Sequence, residues 1–97
     1  MPPAIIRLLD DLRVQVPNAY VRLETFDQGG TAVDVSIATR DFELFCGPVS
    51  GNGVSEVTEN TLPFTRHDRY FATPEEAAGH LLALVSEAGK QMTPHAA

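Results

Sequence analysis

The sequence predicts an α+β domain in which two helices pack on one face of an antiparallel meander of four to five strands. Apolar residues recur at helical spacing near both ends, over residues 3–16 and 74–89, and they alternate with a period of two between residues 20 and 72. A chain of 97 residues can form one hydrophobic core but not two. We therefore expect a single domain over residues 1–97.

The first helix is predicted over residues 3–16. Its apolar residues are spaced to line one side, and they are Ile5, Leu8, Leu9, Leu12 and Val16. Pro3 suits the first turn, where a backbone N–H has no helical partner, and Pro17 ends the pattern. This end of the chain is therefore expected to form an amphipathic helix.

The sheet is predicted from short alternating runs separated by turn residues. Four runs alternate between apolar and polar residues, and a short edge strand follows them: 20–27, 31–39, 41–46, 54–59 and 69–72. Gly29 and Gly30 stand between the first two runs and are expected to supply the positive φ of a turn. Sequential runs with short connections predict an antiparallel meander.

The connection between the third and fourth runs is predicted to be a bulged hairpin. Asn52-Gly53 is a dipeptide favoured in tight hairpin turns, and Gly47-Pro48 could hold the bulge. A register that sets apolar residues against each other would pair Phe42 with Phe64, Leu44 with Leu62 and Val49 with Val57. We expect this register because matched apolar pairs bury the most surface.

The second helix is predicted over residues 74–89. Thr73 is a favourable N-cap, Pro74 suits the first position, and Glu76 completes a capping box. Gly89 is a candidate C-cap. Residues 92–97 are expected to form a frayed tail.

The charge argues against two classes of partner. The chain carries 13 Asp and Glu against 7 Lys and Arg, which gives a formal net charge of −6. Nucleic acids and anionic membranes both attract clustered basic residues, and the basic residues of this chain are scattered. We expect no nucleic-acid or membrane partner, whereas a basic protein partner would be attracted.

The single cysteine helps to predict the cellular compartment. Cys46 cannot form an internal disulfide, which is typical of proteins in a reducing cytoplasm. The N-terminal segment MPPAIIRLLDDL has no basic leader, and charged residues interrupt its apolar ones, so a signal peptide or membrane span is not expected. The sequence therefore predicts a cytoplasmic protein.

The glycines beside Cys46 could suggest a nucleotide site. Gly47, Gly51 and Gly53 spell GxxxGxG, which resembles the glycine loop of short-chain dehydrogenases. Such a loop binds phosphate because a helix N-terminus follows it, whereas here VSEVTEN follows, rich in β-branched residues and without helical periodicity. A turn between strands explains the glycines better, and no cofactor is expected.

A second hypothesis is a small enzyme or ligand-binding domain centred on Cys46, His67 and Asp68. Cys46 shares a predicted face with Phe42 and Leu44, which indicates a buried thiol with a raised pKa and a poor nucleophile. The three histidines are far apart in sequence and have no metal-ligand spacing. We expect neither a catalytic residue nor a metal site.

The favoured functional surface is the predicted outward face of the sheet, where aromatic and acidic residues mix. Its candidate residues, with those of the charged loop beside the last strand, are Tyr20, Glu24, Phe26, Asp34, Glu43, Phe45, Arg66, His67, Asp68 and Arg69. Aromatic rings supply contact area and carboxylates orient a basic partner. The sequence therefore favours a non-enzymatic protein-binding module, similar in size and charge to inhibitors and immunity proteins. A homodimeric structural subunit and a secretion-type chaperone remain alternatives.

Overall fold

The computed structural model describes residues 2–49, 51–57 and 68–92. The elements in chain order are α1 (Pro3–Gln15), β1 (Tyr20–Thr25), β2 (Thr31–Ile37), β3 (Arg40–Gly47), β4 (Gly51–Val57), β5 (Arg69–Phe71) and α2 (Pro74–Met92). The strands form one antiparallel sheet in the order β1-β2-β3-β4-β5. The predicted fold class, with an N-terminal helix, a meander and a C-terminal helix, is confirmed.

One face of the sheet carries the core. The helix α2 packs across β2 to β5, and α1 packs against α2. A single hydrophobic cluster joins the buried sides of both helices to the sheet residues Val33, Val35, Phe42, Leu44 and Val54. The helices therefore bury the face predicted to be apolar, and we call the opposite side the outer face.

The first turn of α2 follows the sequence prediction, whereas its end does not. The backbone N–H of Glu76 donates to Thr73 Oγ1 at 3.2 Å, and the Thr73 hydroxyl donates to Glu76 Oε1 at 3.4 Å. Gly89 does not cap the helix, which continues to Met92. A Cβ at Gly89 would lie 3.2 Å from Ile37 Cδ1 and 3.3 Å from Val16 Cγ1, so glycine lets α2 approach the core closely here. Residues 93–97 of the predicted tail lie outside the described residues.

The predicted hairpin register between β3 and β4 is wrong. The strands pair from Asp41 opposite Val57 to Gly47 opposite Gly51, without the predicted bulge. Asn52-Gly53 lies within β4 instead of forming the turn, and Val49 is unpaired and 98% exposed. The proposed partners Leu62 and Phe64 lie outside the described residues.

The observed register places Phe42 opposite Glu56, a pairing that apolar matching would reject. Arg40 resolves the mismatch, because its guanidinium donates to Glu56 from Nε at 2.9 Å and lies 5.1 Å above the Phe42 ring. Gly51 begins β4 with a φ of 83°, a conformation that favours glycine. An ion pair over an aromatic ring and one glycine therefore define this hairpin.

The two glycines of the first hairpin have different roles. Gly29 has a φ of 94°, as the turn prediction requires, but the positive φ predicted for Gly30 is not observed. A Cβ at Gly30 would lie only 2.7 Å from Phe45 Cζ. Gly30 is therefore needed to make room for the Phe45 ring and not for a turn conformation.

The edge strand β1 is less buried than its apolar pattern predicted. Val21 and Leu23 pair with Val35 and Val33 and so lie on the helix side, yet Leu23 is 38% exposed. An open groove of about 430 Å³ runs between α1 and β1, and its apolar lining includes Leu9, Val16, Val21 and Leu23. The helices therefore cover the middle of the sheet more completely than this edge.

Among the residues that the structure describes, no helix is long and apolar enough to cross a membrane.

Candidate functional site

The strand register arranges the outer face in three rows that run across the sheet. The aromatic row consists of Glu24, Ala32, Phe45, Gly53 and Tyr70. The acidic row consists of Arg22, Asp34, Glu43 and Ser55. The third row consists of Tyr20, Ser36, Asp41 and Val57. The outward residues predicted by alternation therefore do share one face, because paired residues project to the same side of a sheet.

The aromatic row is built from rings separated by small residues. The ring of Phe45 reaches over Gly30 towards Phe26, and the centroids of the two rings are 5.8 Å apart at an interplanar angle of 50°. On the other side of Phe45, Gly53 is buried and stands between Phe45 and Tyr70 in the row. This end of the sheet therefore presents an aromatic patch around Phe26, Phe45 and Tyr70.

The acidic row places two carboxylates side by side. Asp34 pairs with Glu43 across the β2–β3 ladder, and a guanidinium nitrogen of Arg22 lies 3.6 Å from Asp34 Oδ2. Burial and the neighbouring Asp34 carboxylate raise the pKa of Glu43. The row therefore concentrates negative charge in the middle of the outer face.

Two further carboxylates border these rows. The Ser36 hydroxyl donates a short hydrogen bond to Asp41 in the third row. Asp68 lies beside β4, where its backbone N–H donates to Ser55 Oγ at 3.0 Å and its Oδ2 accepts from the Glu56 N–H at 3.1 Å. Hydrogen bonds therefore hold the carboxylates of Asp41 and Asp68.

The charged loop predicted beside the last strand is divided by the structure. Arg66 and His67 lie outside the described residues, and Asp68 lies next to the acidic row. Arg69 pairs with Val54 on the helix side, where its guanidinium lies 5.3 Å from the Phe71 ring centroid. Arg69 therefore does not join the aromatic and acidic residues of the outer face.

The helix side holds Cys46, the thiol considered for catalysis, and His80. Cys46 is only 4% exposed, and burial, with a smaller effect of the Glu75 charge, raises its pKa to about 11. The predicted buried thiol is confirmed, and it stays protonated near neutral pH. The His80 ring lies against the Phe71 ring, with centroids 5.0 Å apart and an interplanar angle of 42°, and burial lowers the pKa of His80, as does Arg69. Within the described residues, no three His, Cys, Asp or Glu side chains are grouped closely enough to hold a metal ion.

Two outer-face residues, Asp41 and Tyr70, were not among the site residues predicted from the sequence. Asp41 alternates with Glu43 along β3, so the period of two could have identified it. Tyr70 joins Phe45 only because Gly53 pairs with both, and the predicted register excluded that arrangement. The aromatic patch at this end therefore depends on the true register of β4.

Comparison with known proteins finds no protein family, no curated protein and no solved structure that matches this chain.

Proposed function

We propose that the protein is a non-enzymatic binding module whose outer face binds a basic site on a protein partner, in the manner of an inhibitor or immunity protein. One observation carries the proposal: an aromatic patch adjoins a surplus of carboxylates on a single sheet face. Across the described part of this face, the carboxylates of Glu24, Asp34, Asp41, Glu43 and Asp68 stand against one guanidinium, that of Arg22.

The two parts of the face supply different components of binding. Aromatic rings bury large areas at little cost in side-chain entropy, which is why they are frequent in the energetic centres of protein interfaces. Carboxylates around them attract a basic partner, orient it and disfavour acidic competitors. Tyr70 is 47% exposed and so has ring area available for such contact.

The net charge of −6 makes nucleic acids and anionic membranes poor partners and a basic protein a favourable one. A cytoplasmic location belongs to the same proposal, since the single cysteine is a free, buried thiol. Bacterial or phage proteins that neutralise another protein share this size and acidity, and secretion-type chaperones share the acidity.

The alternative of an enzyme centred on Cys46, His67 and Asp68 has less support. The Cys46 thiol is buried under α2 with a raised pKa, whereas a nucleophilic cysteine needs a lowered pKa and access to substrate. The binding module is therefore the function that the described geometry favours.

The test compares outer-face variants with a charge-matched control. The protein is immobilised and presented with a panel of basic proteins, and retained partners are measured at rising salt concentration. Asp41→Lys and Tyr70→Ala lie away from β1 and should weaken retention. Glu87→Lys changes the net charge as much as Asp41→Lys does, but on the exposed surface of α2, and should bind as wild type does.

Loss of binding with both outer-face variants but not with Glu87→Lys would support the proposal. Equal effects of the two lysine substitutions would contradict it, because this face would then not contact the partner. Binding that does not weaken as salt rises would also contradict it, because the carboxylates would then not attract the partner.

A further inference from the structure

The outer edge of β1 is an open sheet edge. Within residues 2–49, 51–57 and 68–92, β1 pairs only with β2, and the opposite sheet edge is the three-residue strand β5. A six-residue edge with unpaired backbone groups can accept another strand. The question is which strand fits it.

The hydrogen-bond pattern identifies which residues face this edge. The Phe26 N–H donates to the Gly30 carbonyl at 2.9 Å, so Phe26 belongs to the bonded positions of the β1–β2 ladder. Bonded and non-bonded positions alternate in an antiparallel pair. The N–H and C=O groups of Val21, Leu23 and Thr25 therefore point away from β2, towards the open edge.

The side chains along this edge are partly apolar on both faces of the sheet. Leu23 is 38% exposed on the helix side beside the groove that separates α1 from β1. Tyr20 and Phe26 are 68% and 41% exposed. Adding a strand here would cover apolar area as well as satisfy backbone groups.

We propose that a second copy of this chain occupies this edge, so that the β1 strands of two copies pair antiparallel about a two-fold axis at Leu23. In that register Leu23 lies opposite its own copy, and Val21 lies opposite Thr25 of the second copy. The same register sets Arg22 opposite Glu24 and Tyr20 opposite Phe26. The outward-pointing backbone groups of the two strands then meet, as an antiparallel ladder requires.

Charge complementarity selects this register from its neighbours. A shift of two residues in one direction would set Arg22 opposite its own copy, and a shift in the other direction would do the same for Glu24. Like charges directly opposite each other destabilise a sheet, whereas the Leu23-centred register forms the Arg22–Glu24 contact twice. A one-residue slip would turn the side chains to the wrong faces.

This pairing joins two five-stranded sheets into one ten-stranded sheet with a continuous outer face. Glu24 and Phe26 of the outer face take part in this pairing, whereas the carboxylates and rings of β3 to β5, where the binding test makes its changes, do not. The dimer and the binding module can therefore be tested separately.

The first test is charge exchange, read by sedimentation velocity over a range of concentrations. Wild type should dimerise, and Arg22→Glu and Glu24→Arg should each be monomeric because each sets like charges opposite each other. An equimolar mixture of the two variants should dimerise, since every pair in a mixed dimer is again of opposite charge. The double variant Arg22→Glu/Glu24→Arg should also dimerise, and restored association shows that the variants are folded.

The second test reads the register through a disulfide at low protein concentration. Leu23→Cys should form a cross-linked dimer on oxidation. Thr25→Cys is the matched control on the same side of the same strand, and its two copies would be more than about 13 Å apart, too far to bridge. Cys46 is buried and should not compete.

Wild type that stays monomeric at every concentration would overturn the proposal. So would a dimer that both single charge variants leave intact, or cross-linking of Thr25→Cys as fast as that of Leu23→Cys.

Discussion

Arg40 and Glu56 form a bidentate ion pair, with two hydrogen bonds, across the β3–β4 ladder. The contacts are Nε to Oε2 at 2.9 Å and Nη2 to Oε1 at 2.8 Å, and the guanidinium lies over the Phe42 ring. Both side chains are about one-third exposed, at 35% and 34%. The pair therefore fixes the hairpin register with polar contacts, where apolar matching predicted another arrangement.

We expect Glu56→Gln to destabilise the fold at neutral pH and to have little effect in acid. Hydrogen bonds from Arg40 lower the pKa of Glu56 from its ordinary 4.5. A lowered carboxylate pKa contributes stability that is present above 4.5 and is lost as the pH falls through the folded-state value. Urea unfolding from pH 7 downwards measures the effect.

Asp10→Asn is the control for that experiment. Asp10 pairs with Arg13 at 3.2 Å on the open surface of α1, where solvent screens both charges. If the two substitutions cost the same at pH 7, the Arg40–Glu56 pair does not stabilise the hairpin.

Glu43→Gln should stabilise the fold at neutral pH, whereas Glu56→Gln should destabilise it. Burial and Asp34 raise the pKa of Glu43 from 4.5, so the folded protein binds the proton more tightly than the unfolded chain. Stability then falls as the pH rises from 4.5 through the raised folded-state value, and the substitution removes that loss. The glutamine amide can also donate a hydrogen bond to Asp34. We expect a higher melting temperature than wild type at pH 7 and no gain at or below pH 4; a lower melting temperature at pH 7 would contradict this.

Gly30→Ala should disturb the aromatic patch through one contact. The new Cβ would lie 2.7 Å from Phe45 Cζ, so the ring must move, at a cost of roughly 1–3 kcal/mol in the free energy of unfolding. The matched measurement repeats Gly30→Ala in a Phe45→Ala background, where the clash is gone. Denaturant unfolding should show a smaller cost there, and equal costs in both backgrounds would rule out the Phe45 contact as the cause.

Two glycine substitutions should change the free energy of unfolding in opposite directions. Gly51→Ala places a side chain at a φ of 83° and should destabilise the β3–β4 hairpin by about 1–2 kcal/mol. Gly79→Ala adds a Cβ in the interior of α2 that would have no neighbour within 4 Å beyond the adjacent residues and backbone of its own helix, and it should stabilise the protein by about 0.5–1 kcal/mol. Denaturant unfolding measures both changes in the free energy of unfolding. Two changes of the same sign would mean that backbone conformation does not distinguish these sites.

Cys46 should react slowly with thiol reagents while the protein is folded. The thiol is 4% exposed and its pKa is about 11, so little thiolate is available at neutral pH. Labelling should become fast only across the unfolding transition in urea. Val49→Cys, at a position that is 98% exposed, supplies a site that labels at once in the same molecule. Rapid labelling of Cys46 in the folded protein would revive the enzyme hypothesis.

The regular elements were predictable because their signals are local. Proline at the first turn, Thr73 with Glu76 before α2, and strict alternation in β2 and β3 each act over a few residues. The candidate face was predictable to the same extent, since Asp34, Glu43 and Phe45 follow from alternation alone.

The pairing of β4 was not predictable in the same way. Asn52-Gly53 has the local signature of a tight turn, yet it lies within a strand, and the observed register begins β4 at Gly51 and brings Arg40 and Glu56 together. Register depends on contacts between residues far apart in sequence, which no local pattern records. The position of Tyr70 beside Phe45 follows from the same long-range pairing.

The sequence by itself determined the fold class, the two helices, the burial of Cys46 and the acidic character of the outer face, because periodicity, capping and charge are properties of neighbouring residues. Only the tertiary structure decided the register of β4, the separation of Asp68 from Arg69 and the open edge of β1. These features depend on which strands meet and on where α1 and α2 cover the sheet. The difference in free energy between competing strand pairings comes from a few contacts, and those contacts form only when the chain folds.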